Sequence, residues 1–269
     1  MTIWQAIFLG IVQGATEFIP VSSSGHLVLV PWLFGWQPPG LTYTVAAHLG
    51  AITAVLAYFW RVFWGIVVDS VAWVRSRDQG AGIRLLGLLL SSAVPAAVIG
   101  LAFEDAISAI FENPPFAAVM LSVTAVLLLV GERIGRLERD VGDMTWRDAL
   151  IMGFAQALAI LPGISRSGAT IAAGRSQHML RESAARFSFL MSAPVIVGAG
   201  LLQVVELLQV GISAQGIAVL VAGFVSAGVT SYLVIAWLLN FLKTRPVTIF
   251  AIYCFAASAL CILLVLLRA

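Results

Sequence analysis

Long apolar runs, broken by short charged clusters, dictate what this chain can become. Six of them, at residues 45–74, 85–103, 116–130, 184–205, 217–242 and 247–267, are candidate crossings, and most reach the ~20 residues that a helix needs to span a bilayer core. Hydrophobic side chains make up 61% of the 269 residues and charged ones only 10%, against about 25% charged in a soluble globular chain. So much apolar surface excludes disorder and overfills a water-soluble core of this length. The expected class is an all-α polytopic membrane protein, one integral membrane domain over residues 1–269. The run at 116–130 must borrow length from its flanks. The run at 45–74 is too long for one crossing, and Arg61 interrupts it. A crossing ending near Trp60 and Arg61 is predicted, then an interfacial helix with Trp60, Trp64 and Trp73 at headgroup level.

Charge and cysteine usage remove other classes. Fifteen Lys and Arg against 13 Asp and Glu give a net charge of +2, too balanced for a nucleic-acid binder. Cys254 and Cys261 share one apolar segment; seven residues of helix span roughly 10 Å, too far for a disulfide. Neither cysteine has zinc-site spacing. The N-terminal stretch MTIWQAIFLG lacks a charged n-region and an A-x-A site, so no cleaved signal peptide is expected.

The basic residues orient the chain. Arg75, Arg77 and Arg84 mark one connection, Arg133, Arg136, Arg139 and Arg147 a second, Lys243 and Arg245 a third. Between them lie connections with no Lys or Arg, one carrying Glu104, Asp105 and Glu112, the other Glu206. The positive-inside rule puts the basic connections in the cytoplasm and the acidic ones outside in a plasma-membrane protein. The charges at 132–148 are read as a solvated inner loop with salt bridges. Residues 149–176 then start and finish on the cytoplasmic side, breaking at Pro162-Gly163, and residues 3–36 start and finish outside, breaking at Pro20. Both are predicted to be re-entrant helix-loop-helix segments, which survive at membrane depth only where protein or water lines them. Both termini are expected outside.

The two segments resemble each other at an offset of 143. Thr2, Ala6, Gly10, Gln13, Ser22, Ser24 and Gly25 align with Thr145, Ala149, Gly153, Gln156, Ser165, Ser167 and Gly168, while Pro20 and Pro162 miss by one position. Each half, about 1–140 and 141–269, would hold one re-entrant segment and three crossings. An odd number of crossings inverts the second copy, giving an inverted-topology repeat whose loop tips meet near the midplane. Seven or eight plain crossings without symmetry is the alternative.

The tips also collect polar groups that lipid disfavours. Gln13 and Glu17 are four apart and share a helix face, where their oxygens suit a hard cation such as Mg²⁺ or Ca²⁺. Ser22, Ser23, Ser24 and Gly25 form one turn, and Gly163, Ser165, Ser167 and Thr170 flank Arg166 in the other. Turns of this kind present backbone N–H groups to anions, and a guanidinium fork suits phosphate. That inventory fits phosphoryl transfer. Alternatives stay open: Glu17 and Arg166 as a buried ion pair tying the tips together, the serines as caps for broken helices, His26 as a bonded interior histidine. Gly10 and Gly14 read as packing residues. His48 reads as a satisfied histidine in an apolar crossing, and His178 as a surface one.

These residues resemble the undecaprenyl-diphosphate phosphatase family of the bacitracin-resistance type. That family's pattern is Glu/Gln and Glu four apart, then P-x-S-S-x-G-H, then P-G-x-S-R-S-x-x-T. Here it reads Gln13, Glu17, Pro20-Val21-Ser22-Ser23-Ser24-Gly25-His26, and Pro162-Gly163-Ile164-Ser165-Arg166-Ser167-Gly168-Ala169-Thr170. The resemblance extends over the whole chain. It implies a divalent-cation-dependent enzyme that removes the terminal phosphate of a polyprenyl diphosphate lipid. It also implies six transmembrane helices with two re-entrant pairs, a site opening outward, and often a homodimer. Glu17, Ser23, His26 and Arg166 match the positions regarded as functional, and Ser165, Ser167 and Thr170 match the second motif. Position 13 carries Gln rather than Glu, a neutral ligand. The resemblance leaves Ser23 or a water activated by His26 or Glu17 as the attacking group. Topology alone also fits a secondary transporter or lipid flippase; the second motif favours the enzyme.

Overall fold

The computed structural model describes residues 1–76, 80–103, 110, 113–210 and 214–268, with 199–210, 214 and 215 described as backbone alone. Among them lie eleven α-helices: α1 Ile3–Phe18, α2 Ser23–Phe34, α3 Gly40–Tyr58, α4 Trp60–Ser76, α5 Ala81–Ala102, α6 Pro114–Ile134, α7 Trp146–Leu158, α8 Arg166–Ser176, α9 Arg181–Val210, α10 Ala214–Leu242 and α11 Thr248–Arg268. A 3-10 turn at Val141–Asp143 precedes α7.

Five helices are long and apolar enough to cross a membrane: Gly40–Tyr58, Ala81–Ala102, Pro114–Ile134, Gly216–Leu242 and Thr248–Arg268. The chain is an all-α polytopic membrane protein. The short run at 116–130 gains its length from both flanks, Asn113 capping the amide of Phe116. The run at 45–74 divides at Phe59, one residue before the expected break, and the exposed Trp60 and Trp64 begin α4. The expected crossing at 184–205 lies within α9, whose side chains beyond residue 198 fall outside the described set. So do Arg77, the residues Glu104, Asp105 and Glu112 expected in an outer loop, and the side chain of Glu206.

Leaving α4 aside, four of the described helices are too short to cross. α1, α2, α7 and α8 have 16, 12, 13 and 11 residues, about 16–24 Å at 1.5 Å per residue against a core of about 30 Å. They form two consecutive pairs, and each pair packs within itself. Their starts are built alike. Thr2 and Gln5 make a reciprocal capping box at α1, and Thr145 and Asp148 make one at α7. Each box satisfies amides that the helix cannot pair itself.

Backbones approach closely where the small residues predict. α1 lies on α10, and a Cβ on Gly10 would sit 2.8 Å from the Gly223 carbonyl oxygen. α7 lies on α5, where a Cβ on Gly153 would sit 2.5 Å from the Ser92 carbonyl oxygen. In lipid, helix association rests on such packing rather than on escape from water. The interior is filled by large side chains including Phe18 and Phe189, edge to face at 5.0 Å. Cys254 and Cys261 are buried and free, as their spacing requires.

The basic connection between α6 and α7 is solvated and salt-bridged as expected, with Arg133, Arg136, Glu138 and Arg147 exposed and Arg136 paired with Glu138, but Arg175 beside it and Asp148 at its end are buried. Arg175, 1% exposed, turns its guanidinium onto the carbonyls of Gly135 and Arg136 and toward Glu132, which also pairs with Arg181. Asp148 is buried, bonded to Arg139 at 2.6 Å. The helix ends here leave carbonyls unpaired, and arginine forks satisfy them. The ring of His178 accepts from the Arg136 amide at 3.3 Å.

Candidate functional site

The site forms where the two turns meet, and Glu17 is its hub. Glu17 ends the buried face of α1, and its carboxylate is 4% exposed. Four side chains converge on it. Gln13 Nε2, one turn earlier, donates to Oε2 at 2.8 Å. Ser23 Oγ, at the start of α2, donates to the same oxygen at 2.5 Å. Arg166 Nη2, at the start of α8, donates to Oε1 at 2.9 Å. His48 Nε2, from α3, lies 3.5 Å from Oε2. A buried carboxylate is costly unless paired and bonded, and here it is both.

The turns that carry Ser23 and Arg166 share one construction. Ser22 Oγ accepts from the Gly25 amide at 3.2 Å, and Ser165 Oγ accepts from the Gly168 amide at 3.0 Å. Ser22 Oγ lies 3.2 Å from Ser24 Oγ, and Ser165 Oγ lies 3.1 Å from Ser167 Oγ. Ser22 and Ser165 are therefore N-caps of α2 and α8. Ser22 holds φ at +73°, outside the usual range for a residue with a side chain, immediately before Ser23. Gly163 holds φ at +95° with its Cα face against Ala117, a place where a Cβ would meet the Ala117 carbonyl oxygen at 2.3 Å.

The remaining expected residues fall close by. Ser167 Oγ donates to the Ile19 carbonyl at 3.3 Å, joining the second turn to the first. Thr170 Oγ donates to the Arg166 carbonyl at 2.7 Å and touches Ser188 Oγ at 2.6 Å. These hydroxyls are engaged within the protein, as are the Gly25 and Gly168 amides. The amides of Ser23, Ser24, Arg166 and Ser167 occupy first-turn positions that no helix pairs internally, the place where anions bind.

Both ring nitrogens of His26 are engaged by groups other than Ser23. Its Nδ1 bonds the Ser22 carbonyl at 2.7 Å, and its Nε2 bonds Tyr253 Oη at 2.7 Å, with the two rings stacked. A carbonyl only accepts, so Nδ1 carries hydrogen, and in the neutral ring Nε2 accepts from the Tyr253 hydroxyl. The base in contact with Ser23 is Glu17.

Two polar atoms at the centre have no protein partner: Arg166 Nη1 and Gln13 Oε1, both fully buried. A free guanidinium N–H is a donor for a phosphate oxygen. A free amide oxygen beside a carboxylate is a donor set for a hard cation that takes its other ligands from substrate. No group of three His, Cys, Asp or Glu able to hold a metal by itself occurs among the described residues. The residues thus fit a cation shared with a bound phosphate, not a cage made by protein alone.

Sequence reasoning missed three contributors. His48 reaches Glu17 from what reads as a plain apolar crossing. Thr124 accepts from the Ser165 amide at 2.9 Å and donates to the Gly163 carbonyl at 3.1 Å, bracing the second turn from α6. Tyr253 orients His26 from α11. The only signal for each is a polar side chain in an apolar run.

The sequence model of the family described as "Bacitracin resistance protein BacA" matches residues 6–260. Proteins named "Undecaprenyl-diphosphatase" are similar throughout. The one from Thermomicrobium roseum is 42% identical over 277 residues, covering 98% of this chain and 99% of that protein. The one from Moorella thermoacetica is 42% identical over 268 residues, all of both chains. The one from Pelotomaculum thermopropionicum is 38% identical over 268 residues, covering 100% and 98%.

Proposed function

Because the chain belongs to the Bacitracin resistance protein BacA family, we propose that it is an undecaprenyl-diphosphate phosphatase. It hydrolyses the lipid diphosphate to the monophosphate and inorganic phosphate, returning the lipid carrier to cell-wall synthesis. The observation that supports placing this chemistry at the two turns is the convergence of Ser23, Gln13, His48 and Arg166 on Glu17.

The geometry supports the following roles. Arg166 keeps Nη2 on Glu17 and offers Nη1 to the terminal phosphate, with the first-turn amides of α2 and α8 as further donors. Ser22, Ser24, Gly25, Gly163, Ser165, Ser167 and Thr170 shape these turns and hold their amides toward the phosphates. Glu17 takes the Ser23 proton as Ser23 Oγ attacks the terminal phosphorus. The bond from that phosphorus to the bridging oxygen breaks and the lipid monophosphate leaves. Water then cleaves the phosphoserine, releasing phosphate. The 2.5 Å contact favours Ser23 over a free water as first nucleophile. His26 orients the turn through the Ser22 carbonyl. Gln13 and Glu17 would hold Mg²⁺ or Ca²⁺ together with the phosphates, and the cation supplies neutralisation of phosphate charge.

The lengths of α1, α2, α7 and α8, their matched caps and the pairing of α1 with α10 and α7 with α5 support two re-entrant pairs and six crossings in an inverted repeat, with halves near 1–140 and 141–269. The basic connections support a plasma-membrane orientation with both termini and the site mouth outside. The exposed apolar faces leave room for lipid or for a second copy in a homodimer. Phosphate release from undecaprenyl diphosphate by the purified protein tests the activity. Release that needs Mg²⁺ or Ca²⁺ and stops with EDTA is expected; none under any cation would refute it.

A further inference from the structure

His48 stands in the site with no task assigned. Its Nδ1 bonds the Thr44 carbonyl at 2.7 Å, so that nitrogen carries hydrogen and the lone pair of the neutral ring sits on Nε2. This lone pair faces Glu17 Oε2 at 3.5 Å, longer than the roughly 2.7–2.9 Å of a charge-assisted hydrogen bond. With the ring protonated this contact is an ion pair; with the ring neutral it is two lone pairs facing each other, an arrangement that a shared cation satisfies. Ligands at right angles on a cation about 2.1 Å away lie roughly 3 Å apart, close to the spacing seen. A ring N–H held by a backbone carbonyl is also how metal-bound histidines are fixed. Gln13, whose amide nitrogen reaches the same Oε2, leaves its Oε1 buried and unpartnered. A cavity of about 400 Å³, lined in part by His48 and Ser24, opens beside the ring.

We infer that His48 Nε2 is a nitrogen ligand of the divalent cation, completing a site with Glu17 and Gln13. The inference rests on the cation-dependent reading above. It replaces an all-oxygen site by a mixed nitrogen–oxygen one, for which Mn²⁺ is a suitable probe because it shares the oxygen-ligand preference of Mg²⁺ and Ca²⁺.

The test is pulsed electron paramagnetic resonance of Mn²⁺ on the detergent-purified protein with inorganic phosphate present, using unlabelled and nitrogen-isotope-labelled histidine. The expected spectrum shows modulation from a coordinated imidazole that changes with the histidine label. It disappears in His48→Gln, persists in His26→Gln, and Mn²⁺ affinity falls about tenfold or more in His48→Gln. Bound Mn²⁺ without imidazole modulation in the unaltered protein overturns this inference and leaves the cation reading standing. Absence of bound Mn²⁺ overturns both. The unaltered protein decides the question even where a variant fails to fold.

Discussion

Arg166 Nη2 lies 2.9 Å from Glu17 Oε1, joining residues 149 positions apart in the chain. The bond fastens one broken helix to the other at their tips and holds the guanidinium where Nη1 has no protein partner. One contact therefore ties the two turns together and, in the proposed mechanism, presents the phosphate donor. Arg166→Lys keeps the charge but loses the fork. Phosphate release assays should show kcat/KM reduced about 100-fold or more, the size expected for one lost preorganised donor. Near-normal turnover in the Lys variant would mean that charge alone suffices.

Ser23→Ala removes the proposed nucleophile and one of the bonds on Glu17. Loss of turnover by at least about 1,000-fold is expected, since no other group replaces a covalent nucleophile. Retained activity within about tenfold would assign attack to water and leave Ser23 as a positioning group.

Thr145→Ala dissolves the capping box at α7, where Thr145 and Asp148 satisfy one another's amides. The loss should be about 1 kcal/mol of stability, seen as a lower midpoint in thermal unfolding in detergent. Turnover at low temperature should change little, because α7 contributes none of the side chains that converge on Glu17.

Asp148 also governs the acid limit. Burial raises its carboxyl, but the bonds from Arg139 and Thr145 outweigh burial and hold it below the ordinary value of 3.8. A carboxylate lowered by folding stabilises the protein above its unfolded pKa, and that stabilisation is lost as pH falls through the lowered value. Thermal midpoints should be flat from neutral pH down to about 4 and drop below it. Asp148→Asn should lower the neutral midpoint and flatten the acid drop; an unchanged acid profile would remove Asp148 from this role.

Much of this was legible in the sequence, for identifiable reasons. The spans at 85–103, 217–242 and 247–267 are long apolar runs with charged ends, and their helices Ala81–Ala102, Ala214–Leu242 and Thr248–Arg268 differ by a few residues. Gln13 with Glu17 and the turns around Ser22 and Ser165 stood out because polar residues in lipid need a reason. What was hidden depends on long-range packing. Nothing local says that His48 faces Glu17, that Tyr253 takes up His26, or that Thr124 braces Gly163. Nor does anything local say that Arg175 is buried on helix-end carbonyls.

The most direct measurement is phosphate release from undecaprenyl diphosphate by Glu17→Gln, a variant that preserves shape and removes the charge on which Ser23, Arg166 and His48 converge. Protein that still purifies as a folded species should release phosphate at least about 1,000-fold more slowly than the unaltered enzyme, with or without added cation. Turnover within about tenfold of normal would contradict a reaction centred on Glu17.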